Sequence, residues 1–87
     1  MRLSRQTERV LWLLEQQEPS TEHELYLELP GMTVEQVRGS LRQLLTEDFA
    51  TFSYEGPHAD RVGGRYVWRV TSAGASYLDA PRGRAHG

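Results

Sequence analysis

Two short segments, Thr21-Glu22-His23-Glu24 and Thr33-Val34-Glu35-Gln36, constrain this chain more than any other part of it. Each has the form Thr-x-x-Glu or Thr-x-x-Gln. In that pattern the threonine hydroxyl accepts from the backbone N–H three residues on, and the longer side chain accepts from the threonine's own N–H. Both segments therefore read as helix starts, with Ser20 an alternative cap for the first. Pro30-Gly31-Met32 separates the two helices, and Gly and Pro are the residues that end a helix. Two strand-like runs and then Thr71-Ser72-Ala73-Gly74-Ala75-Ser76-Tyr77 complete the order. From Ser20 to Tyr77 the chain reads as helix, turn, helix, hairpin, short helix.

A further helix precedes this stretch. Residues 4 to 17 place Leu3, Val10, Leu13 and Leu14 near one helical face, with Ser4 as cap. Trp12 falls on the opposite side among Arg5, Glu8, Arg9 and Gln16, an apolar ring on a charged face. It is covered either by another part of the chain or by a second copy, since large rings are enriched at interfaces. Glu18-Pro19 ends this helix. In the second helix Leu25 and Leu29 face the core, and Leu27 points away as another candidate contact. The third, reaching about Glu47, has an apolar face of Val34, Val37, Leu41, Leu44 and Leu45. Its far side holds Glu35, Gln36, Gly39, Gln43 and Thr46, flanked by Arg42 and Ser40. Glycine inside a helix costs about 1 kcal/mol against alanine. Gly39 is thus either a place where another backbone comes close or a tolerated weak point.

Phe49 to Glu55 and Arg65 to Thr71 carry the aromatic and β-branched residues of strands, and Gly56 to Gly64 the turn formers between them. Tyr66, Trp68 and Val70 share one face of the second strand and are expected to cover the helices. Arg65, Val67, Arg69 and Thr71 share the other. Thr71 caps a short last helix carrying Tyr77 and Leu78, and residues 81–87 read as a flexible tail after a single domain of residues 1–80.

Charge narrows the functional classes. The 87 residues carry a formal net charge of -2 and no cysteine. That excludes disulfides and thiolate metal sites, and it argues against crude electrostatic attraction to nucleic acid. The acid is unevenly spread. Residues 1–30 hold three Arg and six Glu, residues 31–70 five Arg and five acids, and residues 71–87 two Arg and one Asp. The net charges are therefore -3, 0 and +1. No segment approaches the roughly 18 apolar residues of a membrane span, so a cytoplasmic protein is expected.

The opening of the second helix (Ser20-Thr21-Glu22-His23-Glu24-Leu25), the third helix's Val37, Leu41, Leu44 and Leu45, and the closing Val70 to Leu78 resemble winged helix-turn-helix transcriptional regulators. The broad group is that of the MarR and PadR families. The resemblance covers about two thirds of the chain. It differs at Glu47-Asp48-Phe49, where such regulators often have a glycine and an aliphatic pair, and in size, since they carry extra dimerisation helices and this chain has at most a short one. It implies an α+β fold with a three-helix core, a two-stranded β-hairpin wing and a short C-terminal helix. It also implies double-stranded DNA as partner and a homodimer, with Trp12, Leu27 and Tyr77 as contacts. The third helix would then read a major groove through Thr33, Glu35, Gln36, Gly39, Arg42 and Gln43. The amides of Ser20 and Thr21 would hold a phosphate, and His58, Arg61 and Arg65 would give the wing its backbone or minor-groove contacts.

Catalytic patterns are weak. His23, His58 and His86 are scattered, His23-Glu24 lacks the second histidine of a zincin pair, and Gly63-Gly64 precedes a strand rather than the helix of a phosphate loop. No enzyme, cofactor or metal is expected. The alternatives to a DNA-binding regulator are a winged-helix docking or dimerisation module without DNA binding, favoured by the acidic first helices, and a phage or plasmid accessory factor.

Overall fold

The computed structural model of the chain describes residues 3–56 and 65–86. Its elements run α1 (Arg5–Gln17), α2 (Glu22–Leu27), α3 (Val34–Thr46), β1 (Ala50–Glu55), β2 (Arg65–Val70) and α4 (Ser72–His86). This is an α+β arrangement in which three helices precede an antiparallel hairpin and a fourth helix follows it.

The helix starts lie where their capping chemistry puts them. Ser4 accepts from the Thr7 N–H at 3.1 Å to open α1. In α2 the Thr21 N–H donates to Glu24 at 2.8 Å and the Glu24 N–H to the Thr21 hydroxyl at 3.1 Å. Thr33 and Gln36 repeat both bonds at the same two lengths in α3. Each box satisfies donors that the first helical turn leaves open. At its far end α3 closes with a reciprocal pair, Phe49 N–H to the Leu44 carbonyl at 2.8 Å and Asp48 N–H to the Leu45 carbonyl at 3.1 Å. That pairing requires a left-handed residue between helix and strand. Asp48 takes the conformation at φ 64°, a position that glycine would hold without strain.

The core joins Leu3, Val10, Leu11 and Leu14 to Leu25, Leu29, Met32, Val37, Leu41, Leu44 and Ala50. Leu11 is fully buried, whereas Leu13, expected on the inner face, is only partly so. Val34 and Leu45 stay exposed, at the two rims of the α3 stripe. Their inner neighbour is instead Ser40, 5% exposed, with its hydroxyl 3.3 Å from that of buried Thr7 on α1. Among the described residues no buried side-chain polar atom lacks a partner.

The hairpin pairs Ala50 with Val70, Phe52 with Trp68 and Tyr54 with Tyr66, so these six share one face. A second pairing sets its position. Ser20 donates to the Trp68 carbonyl at 3.2 Å and accepts from the Trp68 N–H at 2.7 Å, which puts β2 between the α1–α2 link and β1. The expected division of β2 is corrected here. Val67 is completely buried, while Tyr66, expected to cover the helices, is 58% exposed; Trp68 and Val70 do pack on the core. Aromatic content alone does not decide which face of a strand is inward, because strand preference reflects the packing context of each position.

Helix α4 runs from Ser72 to His86, beyond the short helix expected and through residues read as a tail. Proline 81 removes a helical donor, and it lies within the span without ending it. The Thr71 hydroxyl accepts from the Gly74 N–H at 3.0 Å and donates to the Asp48 carbonyl at 2.6 Å, so one residue caps α4 and ties it to the end of α3. Gly74 is buried, and a Cβ there would lie 2.1 Å from the Phe49 carbonyl oxygen and 2.9 Å from a Val70 methyl. The nearest obstacle is backbone, which cannot rotate aside. Gly74→Ala is accordingly expected to lower stability by about 1–3 kcal/mol, the range for overpacking, read as a fall in the urea midpoint at unchanged slope.

Candidate nucleic-acid interface

The candidate surface is the outer face of α3. Glu35, Arg38, Gly39, Arg42 and Thr46 are all exposed and recur every three or four residues, so they form one stripe. Arg38 was not among the residues singled out from the sequence. Its spacing from Glu35 and Arg42 is the signal that finds it. Across the α2–α3 turn it grips Glu22 with two nitrogens, at 3.0 and 3.2 Å. That bond, with the charge of Glu22 behind it, raises the guanidinium pKa above its ordinary value. Arg42 has no carboxylate within ion-pair distance among the described residues, leaving it the uncompensated cation of the stripe.

Several expected contacts are engaged elsewhere. Ser20 is 2% exposed, its N–H given to Trp68 and its hydroxyl to the Gln17 carbonyl at 2.6 Å, so it is withdrawn from phosphate binding. The Thr21 amide is likewise taken by Glu24, whose carboxyl that N–H holds below the usual range. Gln43 turns from the outer face to α1, where its Oε1 accepts from the Thr7 hydroxyl at 3.0 Å. Gln36 is exposed, but its Oε1 is occupied by the Thr33 N–H, so the capping box competes with any bidentate contact to a base. Thr33 and Glu35 are exposed as expected.

In the hairpin Arg65 meets Glu55 at 3.4 Å, and Arg69 meets the same carboxylate at 3.7 Å and the Ser53 hydroxyl at 3.1 Å. These are surface pairs of small energetic worth, which a phosphate can displace. His58 and Arg61 lie outside the described residues. Of the three expected dimer contacts, Trp12 and Leu27 are exposed, at 49% and 64%. Tyr77 is used within the chain: its hydroxyl accepts from the Leu3 N–H and donates to Glu8, and its ring lies 4.9 Å from that of Phe49. Leu3 is buried and Phe49 partly so, and the separation of 74 residues between Leu3 and Tyr77 hides their shared partner from the sequence.

The opposite side of the hairpin is aromatic. Phe52, Tyr66 and Trp68 line, with Glu22, a cleft of about 340 Å³, and the rings of Phe52, Tyr54 and Tyr66 meet edge-on at 5.3 to 5.7 Å. Among the described residues no three His, Asp or Glu gather as a metal site, and no helix is long and apolar enough to cross a membrane. Known protein families provide no model that matches the chain, and no curated protein matches it.

Gly39 sits mid-stripe, and apart from its own stretch of helix no described residue comes within 4 Å of where a Cβ would stand. Packing inside this chain therefore does not require it. Gly39→Ala is expected to stabilise the protein by about 0.5–1 kcal/mol, measured by urea denaturation; a loss of stability would show that the backbone there needs glycine.

Proposed function

We propose that this chain is a sequence-specific, double-stranded-DNA-binding transcriptional regulator of the winged helix-turn-helix kind, acting in the cytoplasm as a homodimer. The observation that carries the reading is the α3 stripe: an exposed face that no other described element covers, with Arg42 unpaired among the described residues and Gly39 bare between Arg38 and Arg42. A helix placed in a major groove needs side chains that reach base edges and a backbone that can come close to the duplex. In this reading Arg42 contacts a guanine or a phosphate, Glu35 accepts from a cytosine amino group, and Arg38 exchanges Glu22 for a phosphate. The hairpin is the wing, and Arg65 serves it after releasing Glu55. The chain's net charge of -2 implies modest non-specific affinity and a shallow salt slope.

One observation favours a protein-docking module instead. Trp12 and Leu27 are exposed on helices whose segment, residues 1–30, has a net charge of -3 (three Arg against six Glu), a composition suited to a basic partner rather than to phosphate.

Selection of bound fragments from random DNA separates the two. A recovered consensus whose affinity falls with salt supports the regulator, and an unenriched pool favours docking. On a verified site Arg42→Ala is expected to weaken binding by about 1–3 kcal/mol, read from titrations at fixed salt. Unchanged affinity would remove Arg42 from the contact. On the same site Gly39→Ala should weaken binding despite its gain in stability, because the added methyl fills the space left for the duplex.

A further inference from the structure

We infer that two copies of this chain join through the free edge of β1, antiparallel about Ser53, to make one continuous sheet. The inference concerns self-association and does not depend on the DNA reading.

The edge follows from the hydrogen bonding of β2. Trp68 spends both backbone groups on Ser20, and the Val70 N–H goes to the Glu18 carboxylate at 2.7 Å. In an antiparallel ladder, bonded and non-bonded pairs alternate. Phe52–Trp68 and Tyr54–Tyr66 are therefore non-bonded pairs, and Phe52 and Tyr54 direct their N–H and C=O groups outward. Among the described residues nothing meets them. Natural edge strands are protected by lysine, proline, a bulge or a covering element. β1 has an unbroken register, no proline and no lysine, and its single charge, Glu55, is already held by Arg65 and Arg69.

The occupant is a second copy because the edge is complementary to itself in a register that pairs only exposed residues of β1. Ala50 is 1% exposed, so its backbone groups are not open to a partner, and a two-fold centred on Phe52 is ruled out because it needs them. A two-fold centred on Ser53 uses Phe52 and Tyr54 alone. It sets Phe52 opposite Tyr54 of the second copy, and Tyr54 opposite its Phe52, each exchanging both backbone bonds. Both rings are half exposed in the single chain, at 44% and 45%, and directly opposed aromatic rings stabilise a sheet. Glu55 then faces Thr51 of the second copy rather than a like charge.

The test is sedimentation equilibrium of the full chain over a range of micromolar concentrations, joined to crosslinking. A dimer is expected. Tyr54→Lys should weaken it by roughly tenfold or more, since one substitution alters two symmetric pairs, with the circular dichroism spectrum unchanged. The chain has no cysteine, so single substitutions report the register. Ser53→Cys places two thiols across a non-bonded pair and should form an intermolecular disulfide on mild oxidation. Thr51→Cys, displaced along the strand from its symmetry mate, should form far less. A monomer at all concentrations overturns the inference. So does equal crosslinking of the two variants, or a dimer that survives Tyr54→Lys but dissociates with Trp12→Ala.

Discussion

The reciprocal backbone pair between Ser20 and Trp68 governs the rest of this structure. Without it β1 and β2 would form an isolated two-stranded hairpin, a unit marginal in water at best. With it the α1–α2 link becomes in effect a third strand, and β2 is enclosed on both sides. Val67 can then be wholly buried on a strand that also carries two exposed arginines. The same pair takes Ser20 out of solvent, and its hydroxyl bond to the Gln17 carbonyl satisfies the end of α1. The turn between α1 and α2 is thus structural, and the outer edge of the sheet belongs to β1 alone.

A second junction sits where α3, β1 and α4 meet. Asp48 in the left-handed region lets Phe49 and Asp48 return to the carbonyls of Leu44 and Leu45. Thr71 then bonds to Asp48 through its hydroxyl and to the Phe49 carbonyl through its N–H at 3.1 Å. Gly74 is the residue that lets α4 approach that carbonyl. Tyr77, one turn further on, reaches Leu3 and Glu8 at the other end of the chain. The first and last helices are thereby joined through one hydroxyl.

Local chemistry was legible in the sequence, and partnership at a distance was not. Both capping boxes, the caps at Ser4 and Thr71, and the hairpin could be read because each depends on residues a few positions apart. The inner face of α3 was read from polarity, which fails where a helix packs on polar groups. Ser40 and Gln43 turn inward because Thr7 is there to meet them, while Val34 and Leu45 lie at the rims. The faces of β2 were assigned from aromatic content, which does not reveal that Ser20 will cover one edge. Arg38 is marked for the stripe by its spacing from Glu35 and Arg42, but its pairing with Glu22 on another helix is not legible in the sequence. The candidate site was therefore readable as a helix face: Glu35, Gly39, Arg42 and Thr46 were legible there, while Arg38 was not singled out and Gln43 belongs to the inner side.

The α3 stripe and the β1 edge share no residue, which makes their proposed uses compatible. A two-fold centred on Ser53 relates the two copies of α3 by the same axis, and a two-fold pair of reading helices is what an inverted-repeat site presents. The cost falls on electrostatics. Arg38 must leave Glu22 to reach a phosphate, and Arg65 must leave Glu55, so each contact exchanges one exposed ion pair for another and gains little by itself. Arg42, with no carboxylate to release among the described residues, is the side chain of the stripe for which DNA would bring a net gain, and a second copy would double that gain. In the proposed reading, self-association would raise affinity by making the second copy's contacts intramolecular.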